Sequence, residues 1–277
     1  MKGCLSILLF AIVLGGCDVP IDLDLQQTPP QVAIEALLTN RQGEPFVRVT
    51  QTVDFYYEGH ATRINDAVVT LRNDLGQSVV FSHYGGASAD SAGYYLPPTG
   101  FAGQVGRIYT LTVFAGGKTF EATDSLKYVT SIDSLAYRPN RFAEQDPPSD
   151  GKTYELLVYA KEPQESKDYY LVKYYRNDSL TYNGDSDVYV LDDYGVGENI
   201  DGVPSAILYG DNDRAVIEMF SLTRDGFLFY NDLVTIMNSD GGMFSPPPAN
   251  PRTNFSNGAL GFFQVSAASS RSIVVDY

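Results

Sequence analysis

The chain has two cysteines, two histidines and no tryptophan among its 277 residues. Cys4 lies in the extreme N-terminal segment and Cys17 at its end, so once that segment is removed and Cys17 is modified, no thiol remains for a disulfide, a thiolate metal site or a nucleophile. With only His60 and His83, and no serine or aspartate arranged around either, a Ser-His-Asp triad has no support, and a zinc site would have to combine both imidazoles with carboxylates. Glycine-rich phosphate loops and the Gly-x-Ser-x-Gly nucleophile turn are also missing. Without tryptophan there is no indole platform for sugar stacking, which weakens a glycosidase built on paired carboxylates. Positive charge is short too: 19 basic against 34 acidic side chains give a net charge of −15. Such a surface repels phosphate backbones and anionic lipid headgroups, so nucleic acid is excluded as a partner.

No apolar run reaches the length of about 18 residues that a membrane-spanning helix needs. A shorter run opens the chain. Lys2 precedes the apolar stretch Leu5 to Leu14, which has the proportions of a secretory signal peptide, and Leu14-Gly15-Gly16-Cys17 comes directly after it. That tetrad resembles the bacterial lipobox, in which small residues admit the signal peptidase and the cysteine thiol becomes a thioether to diacylglycerol. The expectation is a signal peptide over 1–16, lipidation at Cys17, and a tether over 17–30 whose Ile21, Leu23 and Leu25 alternate with Asp22 and Asp24 as an edge strand would.

The rest of the chain is abundant in aromatic and β-branched residues. With 44% hydrophobic residues, 20 Tyr and 15 Phe, it can bury a large core. Strands are predicted at Val32 to Leu38, Phe46 to Val53, Ala67 to Asn73, Ser78 to Tyr84, Gly93 to Leu96, Ile108 to Phe114 and Thr119 to Thr123. Turn residues separate them, notably Asn73-Asp74-Leu75-Gly76 and the Gly116-Gly117 pair. Seven short strands in about a hundred residues indicate an Ig-like or prealbumin-like β-sandwich over 31–137. The stretch 138–151, rich in Pro, Asp and Gly, is predicted as a linker. An antiparallel β domain is expected over 152–277, with strands at Tyr154 to Ala160, Tyr169 to Arg176, Val188 to Leu191, Ala206 to Tyr209 and Ala215 to Leu222. It should hold one packed helix at about 224–238, capped by Ser221 or Thr223, with Phe227, Tyr230, Leu233, Val234 and Met237 forming its apolar stripe.

The acidic loops of the second half raise a metal site. Asn183, Asp185 and Asp187 alternate as calcium ligands do, but an EF-hand requires Gly and then Glu where this chain has Val188 and Tyr194. A looser all-oxygen calcium site could still be drawn from Asp185, Asp187, Asp192, Asp193, Asp211 and Asp213; the competing reading is solvated loop charge. Near the C-terminus, Pro246, Pro247 and Pro248 beside Phe244 would favour a stiff polyproline-like segment suited to partner docking. Alternatively Phe244, Phe255, Leu260, Phe262 and Phe263 would fold this region back as a structural clasp.

The segments Ile21-Asp-Leu-Asp-Leu25, Val32-Ala-Ile-Glu-Ala-Leu-Leu-Thr-Asn40, Gly106-Arg-Ile-Tyr-Thr-Leu-Thr-Val113, Phe244-Ser-Pro-Pro-Pro-Ala-Asn-Pro251 and Asn254-Phe-Ser-Asn-Gly-Ala-Leu-Gly-Phe-Phe263 resemble those of the Bacteroidota lipoproteins known as domain of unknown function 4249. The resemblance implies an envelope lipoprotein, often encoded beside TonB-dependent outer-membrane transporters, and supplies no catalytic residues. The functional expectation is a non-catalytic binding or accessory protein, lipid-anchored at the outer membrane, assisting a TonB-dependent transporter in nutrient uptake. It calls for no cofactor. An enzyme acting on envelope polymers and a structural or adhesion module are the alternatives. The membrane face is open, because Asp18-Val19-Pro20 interrupts the acidic run that surface-exported lipoproteins carry after the acylated cysteine.

Overall fold

In the computed structural model of the protein, residues 29–53, 59–85, 92–146, 148–182, 188–239 and 249–276 are described. The signal peptide, Cys17, most of the tether, Asp185, Asp187, Phe244 and Pro246, Pro247 and Pro248 lie outside them.

The fold is mainly β, in several antiparallel sheets that form a sandwich or near-barrel, with two helices among the described residues. The first-half strands are β1 (Val32–Thr39), β2 (Phe46–Gln51), β3 (Thr62–Arg63), β4 (Val68–Asn73), β5 (Ser78–His83), β6 (Tyr94–Leu96), β7 (Ile108–Ala115) and β8 (Lys118–Ser125). Their burial has the period of two that alternating sequence dictates. In β7, Tyr109, Leu111, Val113 and Ala115 point inward and are buried. The β7–β8 hairpin turns on Gly116 and Gly117, both at positive φ (57° and 74°), as a two-residue hairpin turn of matching twist demands. The β4–β5 turn is held by Asn73 Oδ1, which accepts from the amides of Leu75 (3.1 Å) and Gln77 (2.9 Å).

The second half adds β9 (Ile132–Pro139), helix α1 (Arg141–Gln145), β10 (Tyr154–Lys161), β11 (Tyr169–Arg176), β12 (Ser179–Thr181), β13 (Tyr189–Asp192), β14 (Asn199–Tyr209), β15 (Arg214–Leu222), helix α2 (Arg224–Met237), β16 (Leu260–Ser266) and β17 (Ala268–Val274). Strands β14-β10-β9 form a three-stranded sheet. Strands β12-β11-β15-β17 form another, to which β13 adds by pairing with β11.

Strand β16 belongs with the first half. The nine-stranded sheet runs β16-β1-β2-β6-β5-β4-β7-β8, with β3 on β2, and β16 lies parallel to β1 over Ala33↔Leu260 to Thr39↔Ser266. Gly261 makes this approach possible. It stands at φ +98°, and a Cβ there would sit 2.0 Å from the Ile34 carbonyl oxygen. The two ends of the sheet also meet: Phe255 bridges Ala122 on β8, and the Ser256 amide donates to the Glu121 carbonyl at 2.8 Å. One hydrophobic core, from Ile34 to Val275, therefore draws on both halves of the chain.

The stretch 138–151, predicted as a linker, is the connection of a hairpin: β9 and β10 pair antiparallel from Tyr154↔Pro139 to Ala160↔Ile132 within one sheet. It is partly ordered by α1, whose N-cap Asn140 accepts from the Phe142 and Ala143 amides and donates to Glu155 Oε2 at 2.6 Å. Of the aromatics considered for a clasp, Phe255, Phe262 and Phe263 are buried, the last two on β16 of the nine-stranded sheet.

Helix α2 begins at Thr223, whose Oγ1 accepts from the Gly226 amide. Phe227 packs on Tyr169 with ring centroids 4.9 Å apart, and Phe229 stacks on Phe262 at 4.8 Å. The Tyr230 hydroxyl donates to Gln264 Oε1 at 2.5 Å. Arg252 grips Asp232 with two guanidinium nitrogens, at 2.7 and 3.1 Å. Phe227 and Tyr230 face the sheet as the periodicity predicts, whereas Met237 is exposed and Phe229 takes an inward role.

Candidate functional site

Four of the six aspartates considered for calcium are described, and the fold separates them. Asp192 ends β13 opposite Tyr169 and is exposed. Asp213 is consumed in the β14–β15 turn: Oδ2 accepts from the Gly210 amide at 2.7 Å and Oδ1 from Asn177 Nδ2 at 2.7 Å, with Arg176 Nε 3.5 Å away. Asp211 lies in the same turn. Only Asp193 enters a cluster.

Its companions are Glu162 and Asp168. Glu162 comes just after the last residue of β10, Asp168 precedes the first of β11, and Asp193 comes just after the last of β13. The register Tyr169↔Asp192 makes Asp168 and Asp193 the next pair beyond the ladder, so their backbones meet. The Asp193 amide donates to the Asp168 carbonyl at 3.2 Å, and the Asp168 amide donates to Asp193 Oδ2 at 2.9 Å. Ser166 Oγ donates to Asp168 Oδ2 at 2.5 Å. Glu162 is brought in from the other sheet, its amide held by the Glu198 carbonyl at 2.9 Å. One carboxylate oxygen from each of the three lies within 4.8 Å of the others.

Glu162 is 3% exposed. Its Oε1 accepts from the Tyr170 hydroxyl at 2.7 Å, whereas Oε2 is buried with no hydrogen-bond partner. Among the described residues, none of the three carboxylates forms an ion pair with Lys or Arg. Burial pushes the Glu162 carboxyl above its usual range, the Tyr170 hydroxyl offsets part of this, and the charges of Asp168 and Asp193 raise it further. The same burial and the adjoining carboxylate raise the Tyr170 hydroxyl well above the ordinary phenol range. Three acids without a cation form an electrostatically unfavourable arrangement that a proton or a metal ion would relieve.

The model of a family described as a domain of unknown function, DUF4249, matches residues 18–272. The chain belongs to that family. No curated protein matches it.

The remaining sequence candidates of this DUF4249 chain lie away from the acidic cluster. His83 Nε2 is 3.1 Å from Asn65 Oδ1, its ring set edge-on to Tyr95 at 5.5 Å, and His60 is exposed. Among the described residues, Glu162, Asp168 and Asp193 are the one group of three His, Cys, Asp or Glu side chains whose ligand atoms converge, and no imidazole is in it. Glu162 and Asp168 escape a reading of the sequence because each is a single acid beside a lysine, Lys161 or Lys167, and looks like ordinary surface charge. The signal that could have found them is position: both flank strong strand patterns at the two sides of one short connection.

A second buried acid belongs to the architecture. Asp124, on the inward phase of β8, accepts from the Val265 amide at 2.9 Å and the Ser125 amide at 2.9 Å. Burial pushes its pKa up to about 6, against the opposing effects of Thr223 and the two amides. Its partners are all protein groups, so it reads as a structural acceptor.

Proposed function

We propose that this DUF4249 chain is a lipid-tethered accessory protein of the outer membrane, anchored through Cys17, that works by binding and assists a TonB-dependent transporter in nutrient uptake. The observation that carries the reading is the order of parts along the chain: Leu14-Gly15-Gly16-Cys17 directly after an apolar leader, and then a short acidic, proline-containing stretch leading to β1. Whatever its conformation, a stretch from Cys17 to Val32 can reach at most about 50 Å, so the β body stays close to the bilayer. Acyl chains hold such an anchor by roughly 0.8 kcal/mol per buried methylene.

The architecture suits a tethered body. The tether enters β1, which is hydrogen-bonded on both sides, to β16 and to β2. A pull on the lipid end therefore loads an interior strand of the largest sheet. No helix of the described residues is long and apolar enough to cross a membrane, and lipid at Cys17 would supply the attachment.

Mass spectrometry of the mature N-terminal peptide tests the anchor: diacylglyceryl-Cys17 is expected, and an unmodified cysteine, or a Cys17→Ala protein that still fractionates with membranes, overturns it. Mild-detergent capture of the native protein tests the partner. A TonB-dependent transporter should be enriched in stoichiometric amount, and its absence from the captured complex removes the transporter part of the reading.

A further inference from the structure

The acidic cluster has a specific deficiency. Three carboxylates converge within 4.8 Å, no cationic side chain of the described residues pairs with them, and the buried Glu162 Oε2 has no partner at hydrogen-bond geometry, the Thr130 hydroxyl being the weakest of the groups that act on this carboxyl. Elsewhere in the described structure comparable acids are served: Glu155 is held by Arg138 Nε and Asn140 Nδ2 at 2.6 Å each, and Asp213 has two nitrogen donors as well as Arg176. A buried carboxylate left one lone-pair set short is costly unless something positive stands there.

We propose that Glu162, Asp168 and Asp193 bind one divalent cation of the calcium type, which fastens the β10–β11 connection to the end of β13. The donor set is all oxygen, which selects hard cations over zinc or copper. Size then selects among them. Ligand oxygens on opposite sides of Ca²⁺ are separated by about twice its 2.3–2.6 Å bond length, which accommodates carboxylate oxygens that lie within 4.8 Å of one another, whereas Mg²⁺ at about 2.0–2.1 Å demands a near-regular octahedron that three carboxylates from separate elements are poorly placed to supply. Ca²⁺ also accepts irregular coordination, and water can complete its shell on the side of the half-exposed Asp168 and Asp193. Glu162 comes from the three-stranded sheet and the two aspartates from the sheet containing β11 and β13, so the ion would join two sheets whose chain connection here is only residues 162–168. The Tyr170 hydroxyl, held on Oε1, fixes the Glu162 carboxylate and leaves Oε2 for the ion.

The absence of tryptophan makes the test clean. Tb³⁺ reports calcium sites by emission sensitised through a nearby aromatic ring, and here the sensitiser would be Tyr170, whose hydroxyl lies 2.7 Å from Glu162 Oε1. The full chain, detergent-solubilised and stripped with EDTA, is titrated with Tb³⁺ and then with Ca²⁺, and its melting temperature is read with EDTA, with CaCl2 and with MgCl2. Expected are saturable Tb³⁺ emission displaced by Ca²⁺ at one equivalent per chain, and a melting temperature several degrees higher in CaCl2 than in EDTA, with a smaller rise in MgCl2. Asp168→Asn and Asp193→Asn should each lower the affinity at least tenfold, and Asp192→Asn, next to the cluster but outside it, should leave it unchanged. Glu162→Gln keeps the volume and the acceptor for Tyr170. It should abolish the Ca²⁺ response while melting at or above the EDTA-treated wild type, so it decides the matter even if an aspartate variant folds poorly. The proposal is overturned if the wild type shows no Ca²⁺-dependent shift and no displaceable emission, or if Glu162→Gln retains the full Ca²⁺ response.

Discussion

The carboxylate of Asp124 stands where a ladder partner would, accepting the Val265 backbone amide at 2.9 Å and so joining β8 to β16, the two ends of the nine-stranded sheet. An edge strand with unpaired amides invites pairing with another chain, and a side-chain acceptor satisfies the amide without extending the sheet. The cost is a buried acid. Asp124 is 8% exposed, and its pKa of about 6 against an ordinary 3.8 means that its charged form is disfavoured in the folded state.

Because the folded-state pKa is the raised one, the stabilisation from the protonated carboxyl is fully present below about pH 4 and is lost as pH rises through about 6. A rise from 3.8 to about 6 corresponds to roughly 3 kcal/mol, an upper figure for one group. Asp124→Asn keeps an oxygen for the Val265 amide without the charge. It should match or exceed the wild-type melting temperature at pH 7.5, with the difference shrinking to nothing near pH 4. Asp124→Ala removes the acceptor and should cost about 1–3 kcal/mol at both pH values. Melting curves of the three proteins across pH 4 to 8 check this, and a wild type that gains on Asp124→Asn as pH rises would refute it.

Thr223 couples this acid to helix α2. Its hydroxyl lowers the Asp124 pKa, opposing burial, and its oxygen caps the Gly226 amide. Thr223→Ala should lose about 1 kcal/mol from the cap and raise the Asp124 pKa further, steepening the fall in stability between pH 4 and 7. Thr223→Ser should restore most of both. Urea denaturation at two pH values separates the pH-independent cap from the pH-dependent part.

Much of this architecture is legible locally, and the part that is not has a common cause. Alternation in Ile108-Tyr-Thr-Leu-Thr-Val-Phe-Ala and the Gly116-Gly117 turn announce β7 and β8 because strand period and turn chemistry are properties of adjacent residues. Leu260-Gly-Phe-Phe-Gln-Val-Ser hides β16: Phe262 to Ser266 are all buried, so no polar face marks the strand period, and Gly261 reads as a breaker. Nothing near it names β1 as its neighbour. The acidic site divides in the same way, since Asp193 is visible as one of an acidic pair while its juxtaposition with Glu162 and Asp168 arises only when β11 and β13 pair and the β10–β11 connection turns back.

The stretch 138–151 distinguishes a chain of two independent units from one shared core. Phe142 is exposed and the connection between α1 and β10 carries no strand, so limited proteolysis can enter here. A cut should leave the two fragments together, because β9 pairs with β10 and β16 pairs with β1 across the cut. The nicked protein should elute at the size of the intact chain in gel filtration and separate only in denaturant. Fragments that part in buffer would show that the halves hold their own cores.

The last prediction concerns Gly261 and the parallel ladder that it permits. In-register with Ile34, it leaves no space for a side chain: the nearest atom to a new Cβ is the Ile34 carbonyl oxygen at 2.0 Å, backbone that cannot swing aside, and φ of +98° disfavours any L side chain. Gly258, three residues earlier, has φ of +77° but nothing within 4 Å of the same position. The pair separates conformational strain from collision. Gly258→Ala should cost about 1–2 kcal/mol, the left-handed penalty alone. Gly261→Ala should exceed about 4 kcal/mol, because β16 must leave β1 or the backbone of one must shift, and Phe262, Phe263 and Val265 lose their burial with it. Circular dichroism melts of both variants give the comparison. Equal losses would mean that β1 and β16 can part without consequence, and that the closure through Asp124 and Val265 holds the sheet by itself.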